Sequence, residues 1–193
     1  MNLVERAKKL ILTPAAEWDA ISAETHTVQG LYTGWIIILA AIPALAGFIG
    51  FSIVGVGAFG LSYRVSVASG IAHAIATYVL SLGSVYVFAL VIDALSPNFG
   101  GEKNFAQAFK VAAFAPVASW LAGVFHVLPA LSILSILGLY SLYLLYVGLP
   151  KLMKTPPEKA MPYTVVVIIV VIVISIVIGV LTGLMLPGRA GGF

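Results

Sequence analysis

Five long apolar stretches, none containing any of the ten Lys and Arg residues, decide what this chain can fold into. The clearest, Tyr163 to Leu186, runs 24 residues without a formal charge. As a helix rising 1.5 Å per residue it reaches about 36 Å, more than the ~30 Å hydrocarbon core of a bilayer. Such a segment crosses a membrane with some tilt. Composition agrees, because 61% of the 193 residues are hydrophobic and 9% charged, against roughly 25% charged in soluble domains. No soluble fold of this size hides that much apolar surface. The net charge of +3 is dispersed rather than clustered, which excludes a nucleic-acid surface. With no Cys there is no disulfide, thiolate nucleophile or Cys-ligated metal.

The pattern predicts an all-α polytopic protein: a bundle of five transmembrane helices with an N-terminal amphipathic interfacial helix. Residues 1–30 form the N-terminal part. In Met1 to Thr13 the apolar residues fall in one arc at 100° per residue and Glu5, Arg6, Lys8 and Lys9 in the opposite one, so the helix lies in the interface with its cations toward headgroups. Thr13-Pro14 stops that helix and serves as cap and first residue of a second short one, Ala15 to Ile21, carrying Trp18. Residues 31–193 hold the spans, approximately 34–56, 69–92, 111–128, 131–149 and 163–186. The third and fourth are joined through Pro129 in a tight hairpin, and Pro43 and Pro116 are expected to kink spans one and three. Threading the spans puts eight of the ten basic residues on one side, leaving Arg64 and Arg189 on the other. The positive-inside rule then sets the N-terminus in the cytoplasm and the C-terminus outside, in a multi-pass inner-membrane protein.

Four groups of residues carry possible chemistry. Asp93 at the end of span two and Lys110 at the start of span three are expected to form a structural ion pair closing the hairpin, in preference to Asp93 acting as a proton or cation carrier. His73 and His126 share a depth near the outer face and are the candidate metal ligands. Two imidazoles without a third ligand make a poor zinc site, so hydrogen-bonded interfacial histidines are preferred. Gly179 with Gly183 in span five, and Ala68, Ala72 and Ala76 in span two, have the small-xxx-small spacing that permits close helix packing. Tyr140, Tyr143 and Tyr146 recur every third residue in span four, as anchors to neighbouring helices or as one wall of a polar cavity. There is no GxSxG, HExxH or P-loop and no close carboxylate pair in the spans, so no enzyme and no cofactor is expected.

The run from Tyr140 to Pro156, Tyr-Ser-Leu-Tyr-Leu-Leu-Tyr-Val-Gly-Leu-Pro-Lys-Leu-Met-Lys-Thr-Pro, resembles bacterial members of the Yip membrane-protein family. So do Leu12-Thr13-Pro14 followed by Glu17-Trp18, and Phe99-Gly100-Gly101 before span three. The resemblance covers nearly the whole chain and implies five spans, a cytoplasmic N-terminus and no catalytic residues. Eukaryotic relatives associate with Rab-type GTPases and with one another in vesicle traffic and membrane shaping. This chain lacks the long N-terminal region many of them carry, which weakens any transfer of GTPase binding. The leading expectation is a non-enzymatic scaffold or adaptor whose partners are membrane lipids, itself or another membrane protein. The alternative is a small-solute or ion transporter or channel, acting as an oligomer.

Overall fold

The computed structural model describes residues 2–58 and 61–183. Two short helices, α1 (Leu3–Leu12) and α2 (Pro14–Ala23), precede five of membrane-spanning length. These are α3 (Val28–Val54), α4 (Val67–Phe99), α5 (Phe105–Val127), α6 (Pro129–Met153) and α7 (Pro157–Gly183). Between α3 and α4 the chain forms an antiparallel pair of three-residue strands, β1 (Val56–Ala58) and β2 (Leu61–Tyr63), with Val56 opposite Tyr63. The expected five-span helical architecture is what the chain adopts.

Polar residues begin the helices. The side-chain oxygens of Asn2, Thr27 and Asn104 accept from the amides of Glu5, Gly30 and Gln107 at 3.0–3.2 Å, satisfying donors that the first turn leaves free. Left-handed residues end them: Gly100 (φ 73°) follows α4 and Lys154 (φ 52°) follows the last turn of α6. Pro14, placed at the first turn of α2, restarts a helix one residue after α1 stops.

The spans are not uniform α-helices. Helix α3 carries π-helical turns at Tyr32–Ile36 and Ile49–Val54, on either side of Pro43. Pro116 divides α5 between Phe114 and Val117. Beside that break the indole of Trp35 donates to the carbonyl of Ala113 at 2.9 Å, tying α3 to α5. The first eleven residues of α6, Pro129–Leu139, are 3₁₀-helical.

Burial ranks the spans. In α5, 72% of the most apolar stretch is buried, against 33%, 22%, 22% and 11% in α3, α4, α6 and α7. Helix α5 is therefore the axis of the bundle, and Phe109, Val111, Ala112, Ala113 and Phe114 on it are fully enclosed. Trp35 of α3 packs on Phe114 with ring centroids 4.9 Å apart. Helix α7 leans on α4 and α6 at the periphery, through Ala160, Tyr163 and Val167, and leaves most of its surface open.

Candidate functional site

The most built part of the molecule is its basic face, the end of the bundle where α1 and α2 dock. Alternation of apolar and charged residues makes α1 amphipathic, but it does not lie free on a surface. Leu10 of α1 and Trp18 and Ile21 of α2 are fully buried against the spans. Arg6, expected to face headgroups, turns inward: its guanidinium meets Glu17 at 2.7 Å and both oxygens of Glu24 at 2.6 and 2.8 Å. His26 completes the cluster at 2.8 Å from Glu24. Burial pushes the Glu24 carboxyl up, yet the hydrogen bonds from Arg6 and His26 outweigh it and hold the group below its ordinary value. At the exposed edge of α1, the Lys9 ammonium bonded to Glu5 lowers that carboxyl and is itself raised.

Lys110 locks the hairpin to the bundle. It is buried in the second turn of α5, and its ammonium donates to the carbonyls of Ile21 (2.8 Å), Ser22 (3.2 Å) and Glu24 (2.6 Å). These are the orphan acceptors at the C-terminus of α2, where the helix dipole is negative, so the cation caps the helix. Gln107 adds a bond to Ser22, and Lys151 of α6 holds Ala15 and Asp19 at 2.8 and 2.6 Å. The Tyr140 hydroxyl donates to the carbonyl of Ile11 at 2.9 Å. Trp18 lies flat against Gly148, where any Cβ would overlap the indole. Nearby, Gly101 fits so closely that a Cβ would stand 2.7 Å from the Met153 carbonyl and 2.8 Å from the Thr155 hydroxyl. The three segments on which the family resemblance rests thus converge on this one face.

Other expected groupings are not brought together. Asp93 does not pair with Lys110, whose ammonium is engaged on α2; the expected ion pair is absent, and Asp93 is buried with its Oδ1 unpartnered. Among the described residues no three His, Asp or Glu gather as metal ligands around His73 or His126. His73 sits half-buried on α4 with Nδ1 unpartnered. His126 lines a side-facing groove of about 700 Å³ between α5 and α6, with Ser119, Ser132 and Ser135. Ala68 and Ala72 face outward; the close approach on α4 is at Gly70, where a Cβ would strike Ser52. At Gly179 and Gly183 a Cβ would meet nothing within 4 Å among the described residues. Of the tyrosines, Tyr140 anchors α1, while Tyr143 and Tyr146 are 48% and 40% exposed toward the outside of the bundle.

The docked hairpin escapes a reading of the sequence by charge sign, because its main cation binds backbone carbonyls, which no residue letter records. The groove had a legible signal. Ser132, Ser135 and Gly138 recur every third residue, the interval at which side chains eclipse on a 3₁₀-helix.

Comparison with known proteins follows the same lines. Residues 8–179 match the family described as Yip1 domain. The chain is 27% identical over 117 residues to "Inner membrane protein YohC" of Escherichia coli strain K12, and equally to the protein of that name in Escherichia coli O6:H1. The alignment covers 60% of this chain and 60% of each relative, so the chain spans about 60% of the length of the curated relatives it matches. No solved structure matches it.

Proposed function

This chain belongs to the Yip1 domain family, and from that premise we propose that it is a non-enzymatic membrane scaffold that associates sideways with another transmembrane helix. The observation that carries this reading is α7. It is the least covered span, with 11% of its apolar stretch buried, and Gly179 and Gly183 have none of the described residues against them. Lipid supplies no hydrophobic drive between helices, so association depends on close backbone approach, which an open pair of glycines permits. The filled axis favours this reading over a conduit, since α5 occupies the centre of the bundle with enclosed Phe, Val and Ala side chains. The membrane is taken as the inner one, the membrane in the relatives' names. Its orientation puts the basic face in the cytoplasm, as the eight-to-two distribution of Lys and Arg favours.

The test is Gly183→Ile in the full chain, comparing assembly size in detergent and melting temperature with the wild type. Because the glycine meets none of the described residues, the reading expects a smaller assembly with an unchanged melt. Equal size would overturn it.

A further inference from the structure

Asp93 is the buried charge that the fold leaves unanswered. It is 7% exposed, its carboxylate makes no hydrogen bond among the described residues, and its Oδ1 is enclosed without a partner. No ion pair to Asp93 forms among the described residues: Lys110 is engaged on the carbonyls of α2, and Lys154 on Glu102 at 2.8 Å. Its position adds a second penalty. Asp93 lies in the last turn of the long α-helical part of α4, Val67–Leu95, which contains no basic residue to offset the negative end of the helix dipole. An isolated carboxylate near the end of a membrane span is costly and calls for a positive partner.

Hydroxyl oxygens stand close by in the sequence and the fold. Ser96, one turn further along and fully buried, donates its hydroxyl proton to the carbonyl of Glu102. Tyr163 of α7, also fully buried, donates to the carbonyl of Ile92, the residue beside Asp93. Both hydroxyls therefore keep lone pairs for a cation. Across Ser96, around Gly101, stands Thr155, whose buried hydroxyl also has no partner. Hard oxygen donors with a single negative charge suit a cation of single charge, because a divalent ion would leave one charge uncompensated in a poorly solvated place.

We infer that Asp93 anchors a binding site for a monovalent alkali cation at the basic face, with the Ser96 and Tyr163 hydroxyls as neutral donors. The bound ion neutralises the end of α4 and ties it to α7. The test uses the purified full chain in detergent at constant pH and ionic strength, with choline chloride replaced stepwise by sodium or potassium chloride. Wild type should show a saturable rise in melting temperature of about 5 °C, as expected for a ligand bound only by the folded state. Asp93→Asn should be flat across the series and melt in choline chloride no lower than wild type. Tyr163→Phe, which keeps the stacking on Phe99, should need several-fold more cation for the half-maximal rise. A wild type that melts alike in all three salts would overturn the site, as would a rise that survives Asp93→Asn or a half-point unmoved by Tyr163→Phe.

Discussion

At Lys110, one side chain decides how the N-terminus is held. Three carbonyls at the end of α2 converge on its ammonium, and hydrogen bonds to charged groups are worth more than neutral ones. Lys110→Met should therefore destabilise the protein by about 2 kcal/mol, since it removes both the cap and its charge from a helix C-terminus. Adding Asp93→Asn should recover none of that loss. A coupling energy between the two substitutions above about 0.5 kcal/mol, measured by a double-mutant cycle in denaturant, would restore the ion pair that the sequence suggested. Asp93 and Lys110 are opposite charges at the two span ends that one loop joins, which is why the sequence alone pairs them. What a residue list omits is that a helix C-terminus is itself an anion. The same limit hides Trp18 on Gly148, where a large residue and a missing side chain, 130 positions apart, form one contact.

Among the elements, the five spans were legible because their signal is local. Each is an uninterrupted apolar run, and the bilayer allows no other spanning structure at that hydropathy. Their ranking was not legible, since α5 and α7 are both apolar and only packing makes one the axis and the other a lipid-facing edge. The α1–α2 hairpin falls between these cases. Its amphipathic pattern was visible, but its closure depends on ion pairs between residues 11 and 18 positions apart, and its docking on the Lys110 bonds to backbone carbonyls. That docking carries a pH dependence. The docked state holds Glu24 below its ordinary value of 4.5, so it binds the proton less well than the undocked chain. Its contribution is complete above that value and is lost as pH falls below it. Hydrogen exchange across residues 3–23 should accelerate between pH 5 and pH 3 relative to α5, after correction for intrinsic rates. Glu24→Gln should reduce the pH dependence; identical profiles in the two proteins would remove Glu24 from the account.

For the whole molecule, the account is a dry bundle built on α5, with a hairpin clamped to its basic face and one span left open on its flank. Orientation is checked with reporters: a periplasm-active enzyme fused after Phe193 should be active and one fused after Lys154 silent, and the reverse pattern would invert the topology. The claim of sideways association is tested most directly in native membranes, because the chain has no Cys and every introduced thiol is unique. At about 100° per residue, Ile172 and Ile176 share the helix face of Gly179 and Gly183, whereas Val177 points well away from it. All three are more than half exposed, at 52%, 59% and 51%. Under mild oxidation Ile172→Cys and Ile176→Cys should each yield a cross-linked adduct, a homodimer or a conjugate with a second membrane protein, while Val177→Cys should remain monomeric. Adducts absent from both isoleucine positions, or formed equally at all three, would contradict a specific face on α7 and with it the scaffold reading.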